Sequence, residues 1–305
     1  MNVRSNVPLK SLTTFEIGGS AEYFVEVKSE DEIREALAYA HAHSLPFTVL
    51  AGGSNVLVPD DGIKGLVIHI VSGMHSFAGN ELAADAGCNL LALIRAASQK
   101  SLGGWEKLAG IPGTIGGAVR GNAGAFGTEI KDVTIKVRAL DTETGEIREF
   151  ENGMCDFFYR HSFFKDHPEW IITRAYLHLH KVDPKESEEL CNATIIERER
   201  RHLQNVRAAG SFFMNPEAPA EVVAMFEREK GVKSREGRVP AGWLIEKVGM
   251  KGATHGGAAA SMQHPNYLVN ENGATAGDVK ALARQIKEKV QGEFGIELKE
   301  EAALL

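Results

Sequence analysis

Residues 108–127 constrain this chain more than any other part of its sequence. They read LAGIPGTIGGAVRGNAGAFG and carry seven glycines in twenty residues, with apolar residues between them. A helix would lose too much backbone entropy at so many glycines, and a flexible linker would not carry the apolar residues. A second stretch of the same character, LAGGSNVLV, occupies residues 50–58. We therefore expect two glycine-rich loops flanked by buried strands, with something lying so close to the backbone that side chains must be absent.

The composition is that of an ordinary globular protein. The 305 residues suffice for two domains, and 43% of them are apolar while 25% are charged. The net charge of −7 argues against nucleic acid or an anionic membrane as the main partner. Three well-separated cysteines without a C-x-x-C pair favour a reducing compartment and give no zinc or disulfide framework. Because neither an apolar leader nor a membrane-spanning run is visible, we expect a cytoplasmic protein with no membrane insertion.

Hydrophobic patterning predicts an α+β protein. The charged helix at 187–203 suggests a domain boundary near its end, and the sequence pattern changes from about Ala208 onward. Strands are predicted at 21–27, 47–51, 65–70, 170–180 and 266–270, with a hairpin at 132–150 that turns at 141–145. Helices are predicted at 29–45, 89–102, 187–203, 219–231, 241–249 and 275–295, with Ser29 and Thr275 as N-caps.

Both glycine loops are suited to binding an anion through exposed backbone N–H groups, because glycine lets a phosphate approach the bare chain. Neither loop has the spacing of a P-loop kinase or of a Rossmann dehydrogenase, so both classes are poorly supported. Tight turns beside closely packed strands would also require glycine. A long dinucleotide lying across both loops would explain the pair. The candidate donors are the side chains of Ser54, Asn55, Thr114 and Asn122 and the amides of Gly116 and Gly117.

Seven short segments follow one another from about Thr13 to Glu301, nearly the whole chain. They are TTFEIGGSAEYFVE, LAGGSNVLV, AGIPGTIGGAVRGNAGAFG, FFYRHSFF, AGSFFMNP, PAGWLIEKVGMKG and FGIELKEEA. In this order and spacing they resemble the successive signatures of the UDP-N-acetylenolpyruvoylglucosamine reductase (MurB) family of peptidoglycan synthesis. The likeness is to the shorter type of that family, without the extra substrate-capping insertion.

The resemblance implies a fold and a cofactor. The family's FAD-binding domain resembles the vanillyl-alcohol-oxidase/PCMH type, in which two α+β lobes hold an extended flavin, here without a covalent bond. It implies an FAD-binding domain at 1–203 with lobes at about 1–72 and 73–203, a smaller α+β substrate-binding domain at 204–294, and a tail at 295–305 that returns to the active site. The implied cofactor residues are Ala51, Gly52, Gly53, Ser54, Asn55 and Val56 on the pyrophosphate, and Gly113, Thr114, Gly116, Gly117, Asn122, Gly124 and Ala125 along the ribityl chain and flavin ring.

The resemblance also implies the reaction, which is reduction of UDP-N-acetylglucosamine enolpyruvate to UDP-N-acetylmuramate with NADPH as co-substrate. Reducing an enolpyruvyl ether needs a hydride at the methylene carbon, a proton at the neighbouring carbon and stabilisation of the developing enolate. Arg160 can bind the carboxylate through two N–H bonds. The resemblance implies that Ser211 donates the proton and that Glu301 polarises the intermediate together with the arginine. The hydride would come from flavin N5.

Two positions depart from the family pattern. The family's tail usually reads E-P-E-V-R, whereas this chain has KEEAA at 299–303, so Glu300 is the fallback for Glu301. We expect the short segment 296–298 to join a sheet edge and carry Glu301 inward. Met214 stands where the family commonly has a basic residue. The implied substrate contacts are Tyr159, Asn215, Arg238 and His264, and no metal site is expected.

Two other classes remain open. A flavin oxidase of the same broad fold, acting on a sugar or an aryl alcohol, would often tether FAD through a histidine in the first loop, and LAGGSNVLV contains none. A catalytically inactive module that binds FAD or another nucleotide would keep the glycine loops, and the altered tail is the best support for it. For the reductase we expect a monomer that acts on small molecules and binds no nucleic acid.

Overall fold

The computed structural model describes residues 1–201 and 206–305. Its helices are α1 (Glu30–Ala42), α2 (Leu90–Gln99), α3 (Ile115–Arg120), α4 (Phe163–Asp166), α5 (Pro184–Arg201), α6 (Ala220–Lys230), α7 (Ala241–Lys247) and α8 (Ala276–Phe294). Its strands are β1 (Arg4–Pro8), β2 (Ser20–Val27), β3 (Phe47–Leu50), β4 (Val56–Leu57), β5 (Ile63–Ile70), β6 (His75–Ala78), β7 (Glu81–Asp85), β8 (Leu102–Gly103), β9 (Gly124–Ala125), β10 (Thr128–Glu129), β11 (Thr134–Asp141), β12 (Ile147–Glu151), β13 (Trp170–His178), β14 (His180–Lys181), β15 (Thr254–His255), β16 (Ala258–Ala260), β17 (Leu268–Asn270) and β18 (Ala303–Leu304).

The chain divides into two units that are not contiguous in sequence. The first comprises Met1–Val7, Ala21–Gly53 and Ile63–Arg200, and the second comprises Pro8–Ser20, Ser54–Gly62 and Arg201–Leu305. The prediction of one continuous domain over 1–203 therefore differs from the structure in two segments, 8–20 and 54–62. The predicted boundary between 203 and 204, and the predicted end of α5 at 203, lie outside the described residues.

The first unit contains a four-stranded sheet in the order β1-β2-β5-β3, in which β5 runs parallel to both β2 and β3. Residues of β5 are buried almost without interruption, as expected for a strand covered on both faces. Helix α1 begins where it was predicted, because the Ser29 side chain accepts from the Glu32 N–H and three acidic residues occupy the first turn. Ile33 and Leu37 of α1 lie in the same apolar core as the sheet.

A five-stranded antiparallel sheet completes the first unit, in the order β12-β11-β13-β7-β6. The predicted hairpin is confirmed as β11 and β12, since the Asp141 carboxylate accepts from the N–H groups of Glu143 and Thr144 in the turn. Helix α2 ends at Gln99 instead of at the predicted glycine pair 103–104. The difference arises because Leu102–Gly103 form β8, which pairs with β14.

In the second unit, α8 packs against the small antiparallel sheet β15-β16-β17. The N-cap predicted at Thr275 is confirmed, and it belongs to a capping box in which Thr275 and Asp278 exchange side-chain and backbone hydrogen bonds. An apolar stripe of α8 faces the core through Val279, Leu282, Ile286 and Val290, all fully buried.

The C-terminal tail joins the second unit through a different strand from the one predicted. Residues 296–298 form no strand, and instead Ala303–Leu304 pair in parallel with Val56–Leu57 as β18 on β4. Ile296 and Leu298 are buried in the core of this unit, so their alternation reflects packing and not strand pairing. Over 1–201 and 206–305, no helix combines the length and the apolar character needed to cross a membrane.

Candidate functional site

The first glycine loop begins where β3 ends at Leu50. Gly53 is buried and has a φ of 58°, in the left-handed region that favours glycine. The ring Nε2 of His69 lies 3.2 Å from the carbonyl oxygen of Ala51. Because burial lowers the pKa of His69, the ring is neutral near pH 7 and its Nε2–H tautomer donates to that carbonyl. The start of the loop is therefore anchored to β5.

The second glycine loop touches the first. A Cβ built on Gly52 would lie 2.8 Å from the Cα of Gly113, and one built on Gly116 would lie 2.7 Å from the Cβ of Ala86. The Gly116 N–H donates to the Ala86 carbonyl at 2.9 Å. At these two positions a side chain would clash with a neighbouring part of the protein, so packing within the protein requires glycine. This agrees with the alternative of tight turns beside closely packed strands. The predicted use of the Gly116 amide as a ligand donor is wrong, because its proton is already engaged.

Gly117 behaves differently. It is exposed, and a Cβ there would meet the Thr114 hydroxyl at 3.6 Å, which is ordinary contact. Thr114 is the N-cap of α3, and its hydroxyl accepts from the Gly117 N–H at 3.3 Å. Packing within the protein does not explain the glycine here. Together with the exposed Gly52, it leaves bare backbone for a bound group, so the loops fit the FAD that the sequence predicts.

Asn122 has a different task from the predicted flavin contact. It is fully buried, its amide donates to the Glu129 carboxylate at 3.1 Å and to the Phe158 carbonyl at 2.9 Å, and its oxygen accepts from the Lys131 N–H at 3.3 Å. These bonds close the loop that carries β9, where the predicted residues Gly124 and Ala125 pair with β10. The side chain of Asn122 therefore organises the loop from inside.

Arg160 is held against this loop. Its Nη1 donates to the Gly124 carbonyl at 3.1 Å, and its guanidinium carbon lies 5.4 Å from the ring centroid of Tyr159. The backbone φ of Arg160 is 57°, a left-handed conformation that costs a non-glycine residue about 1–3 kcal/mol and is concentrated at functional sites. The Lys165 amino group donates to the Arg160 carbonyl at 3.1 Å. Arg160 is thus a half-buried, positioned side chain.

In the second unit, Ser211 begins a segment that is held by Asn266. The Asn266 side chain accepts from the Phe213 N–H at 3.0 Å and donates to the Phe213 carbonyl at 2.9 Å, and its own carbonyl accepts from the Phe212 N–H at 2.7 Å. Asn266 is buried, with 2% of its surface exposed. Gly210, with a φ of 75°, supplies the bend before Ser211. The sequence analysis missed Asn266, whose position at the start of a predicted strand gave no sign of its partner.

The tail lies on the other side of the same segment. The Met214 N–H donates to the Lys299 carbonyl at 2.9 Å, and the Glu301 N–H donates to the Phe212 carbonyl at 2.8 Å. The tail is therefore hydrogen-bonded to the segment that follows Ser211, and its predicted return to the active site stays a prediction. The Glu300 carboxylate pairs with the Lys287 amino group of α8 at 3.0 Å. Of the two adjacent glutamates, Glu300 is the one committed to a structural partner on α8.

Asn55 ties the tail to the chain that follows the first glycine loop. Its Nδ2 donates to the Glu301 carbonyl at 3.1 Å, and its backbone carbonyl accepts from the Ala303 N–H at 3.0 Å. The neighbouring Ser54 carbonyl accepts from the Thr14 hydroxyl at 3.3 Å, and Val56 pairs with Ala303 in the β4–β18 ladder. The Asn55 side chain, predicted to bind the cofactor, contacts the tail.

The predicted substrate contacts of the second unit are Asn215, Arg238 and His264. Arg238 donates to the Asn215 carbonyl at 3.3 Å and pairs with the Glu217 carboxylate at 2.7 Å, and the Asn215 side chain accepts from the Ala241 N–H at 3.0 Å. The His264 ring lies beside Gly242, the residue after Ala241, and 5.0 Å from the Tyr267 ring in an edge arrangement. Burial lowers the pKa of His264. Met214 is half-buried beside the tail.

Among residues 1–201 and 206–305, no three His, Cys, Asp or Glu side chains form a group that could hold a metal ion.

Comparisons with known proteins identify both parts of the chain. Residues 201–305 match the family model described as UDP-N-acetylenolpyruvoylglucosamine reductase, C-terminal domain, and residues 21–151 match that of an FAD binding domain. The reductase of that name from Solibacter usitatus is 36% identical over 302 residues, covering 98% of this chain and 95% of the relative. The one from Synechococcus sp. is 37% identical, covering 99% of this chain and 91% of the relative. The crystal structure of the Thermus caldophilus reductase superposes with a TM-score of 0.78 at 30% identity, covering 100% of this chain and 99% of that one.

Proposed function

The chain belongs to the family of UDP-N-acetylenolpyruvoylglucosamine reductases, FAD-containing oxidoreductases of peptidoglycan synthesis, and from this we propose which of its residues perform the reaction and that NADPH supplies the electrons. The observation that supports the proposal most is the hydrogen bond from the Glu301 N–H to the Phe212 carbonyl. This bond holds Glu301 beside Phe212, the residue that follows Ser211. The backbones of the proposed acid and of the proposed proton donor are therefore close to each other.

We assign FAD to the backbone of the loops of residues 51–56, 113–117 and 122–125, with the Asn55 side chain directed at the tail instead of the cofactor. When bound, FAD supplies the hydride chemistry that no protein side chain can perform. The exposed backbone at Gly117, where protein contacts do not require a glycine, supports this assignment. Thr114 and Asn122 shape the loop, because both side chains bond to the protein itself. The sugar nucleotide is assigned to the second unit, with Asn215, Arg238 and His264 as contacts, and to Tyr159 of the first.

In this proposal Arg160 stabilises the negative charge that develops in the reaction, and Ser211 supplies the proton. The Arg160 guanidinium binds the substrate carboxylate through its fork of N–H groups, which stabilises the negative charge that develops beside it. The hydroxyl of Ser211 donates a proton to the carbon that bears this carboxylate. A serine hydroxyl is a weak acid, so it protonates only a strongly basic carbon, and an enolate is such a centre. Glu301 polarises the same intermediate together with Arg160.

Replacing Ser211 with alanine separates the two halves of the reaction. We expect Ser211→Ala to be reduced by NADPH at the wild-type rate and to lose reduction of the enolpyruvyl substrate by about 10² or more, the usual scale for removing a general acid. Stopped-flow absorbance of the flavin follows each half separately. If both halves slow by the same factor, Ser211 is structural and the proposed proton donor is wrong.

The flavin is held without a covalent bond. The first loop, residues 50–58, contains no histidine that could tether the ring. Denaturing the protein should therefore release all of its FAD, which then passes through an ultrafiltration membrane that retains the polypeptide. Flavin that remains on the polypeptide would favour the oxidase alternative. We also propose that the protein acts on small molecules as a monomer, as the sequence analysis expects, and light scattering measures its mass in solution.

A further inference from the structure

The Asn55 side chain lies in a loop predicted to hold the cofactor, yet its amide is directed at the tail. Its Nδ2 donates to the carbonyl of Glu301 at 3.1 Å. We propose that Asn55 is a positioning residue for Glu301 and serves the second half of the reaction, in which the substrate is reduced. This inference rests on the proposed role of Glu301.

The Glu301 peptide groups are held from two sides. The N–H donates to the Phe212 carbonyl at 2.8 Å, and the carbonyl accepts from the Asn55 amide. A residue carries one backbone donor and one acceptor, so both groups of Glu301 are engaged. One partner belongs to the Ser211 segment and the other to the chain after the first glycine loop. The direction of the Glu301 Cα–Cβ bond is set by these two contacts.

The tail has other attachments that do not depend on the Asn55 side chain. The backbone carbonyl of Asn55 accepts from the Ala303 N–H at 3.0 Å, and Ala303–Leu304 pair with Val56–Leu57. On the other side of Glu301, the Lys299 carbonyl accepts from the Met214 N–H. Removing the Asn55 amide therefore leaves the tail in place and frees only the peptide that carries the glutamate.

The residue before Glu301 has its side chain engaged elsewhere, because the Glu300 carboxylate pairs with the Lys287 amino group of α8 at 3.0 Å. The Asn55 amide, by contrast, contacts the carbonyl of Glu301 itself. Misplacing a catalytic group by about 1 Å can cost up to about a hundredfold in rate, so a loss of one positioning contact should cost on the order of tenfold.

The test uses the FAD-loaded full chain and two variants that remove the donor. Asn55→Ala deletes the amide, and Asn55→Asp keeps its size but replaces the donor with an acceptor. We expect both variants to keep their FAD and their rate of flavin reduction by NADPH within about twofold, and to slow reduction of the enolpyruvyl substrate by about tenfold. Asn152→Ala is the matched control, because that amide also donates to two backbone carbonyls, Lys131 and Thr134, and should leave both half-reactions unchanged.

A double variant distinguishes positioning from a general loss of structure. In a Glu301→Gln background, Asn55→Ala should slow substrate reduction by less than about twofold further, since the group that it positions is already gone. Independent, multiplicative losses would overturn the inference. So would a loss of FAD or of NADPH oxidation in Asn55→Ala, which would make Asn55 a cofactor ligand.

If Glu301→Gln itself reduces the substrate at the wild-type rate, the proposed role of Glu301 fails and the role of Asn55 fails with it. If only Asn55→Ala is silent, the proposed function stands and this inference alone is wrong.

Discussion

Replacement of Asn266 by alanine removes the side chain that holds the Ser211 segment. Asn266 is 2% exposed and Phe213 is 0% exposed, so the N–H and the carbonyl of Phe213 would lose their partners where water does not reach them. Each buried polar group without a partner costs about 1–3 kcal/mol, which gives about 2–6 kcal/mol for the two. Because net stabilities are about 5–15 kcal/mol, this is a large part of the stability of the second unit.

Urea unfolding measures that loss, with the free energy extrapolated linearly to water. Asn89→Ala is the control, since Asn89 is an exposed N-cap whose side chain accepts a single hydrogen bond from the Ala92 N–H. That change should cost about 1 kcal/mol. If Asn266→Ala costs no more than Asn89→Ala, the two contacts with Phe213 contribute no net stability. The Asn266 variant that still folds should also reduce the enolpyruvyl substrate more slowly, because Ser211 directly precedes Phe212 and Phe213.

Two further changes follow from buried or capping contacts. The Asp60 carboxylate accepts from the N–H groups of Ala276 and Gly277 at the start of α8, at 2.7 and 2.9 Å, so Asp60→Ala should cost about 1–2 kcal/mol in urea unfolding, whereas the neighbouring Asp61→Ala should cost less. Burial lowers the pKa of His69 below its ordinary value of about 6.5. The unfolded chain then takes up this proton first as the pH falls, so the stability is complete above pH of about 6.5 and is lost progressively below it. His69→Gln should flatten that part of the urea-derived stability curve between pH 7.5 and 5, and an unchanged slope would contradict the assignment.

Elements with a local signal could be predicted from the sequence. Ser29 and Thr275 each precede an apolar period of 3.6 residues, and the caps that they form depend on atoms only three residues away. The hairpin turn at Asp141 is equally local. The assignment of chain segments to the two units could not be predicted. Segments 8–20 and 54–62 belong to the second unit through contacts with residues some 200 positions away, such as that of Thr14 with Ala208.

The glycines show a second limit of the sequence. A glycine indicates that something lies close to the backbone, and it does not say whether that is a ligand or another part of the chain. Gly52 and Gly116 are explained by Gly113 and Ala86, whereas the exposed Gly117 is not explained by protein contacts. The predicted FAD is confirmed by the match of residues 21–151 to an FAD binding domain. Only some of the glycines in the two loops support it.

The choice between Glu300 and Glu301 depends on both kinds of information. The sequence offers two adjacent carboxylates and a count from Leu298, and the missing proline removes the usual marker. The Glu300–Lys287 pair is half-buried and is one of several contacts that hold the tail. It directs the Glu300 side chain toward α8. The Glu301 peptide is held between Phe212 and Asn55, and we therefore propose that Glu301, and not Glu300, carries the acid that the family's tail usually places beside a proline.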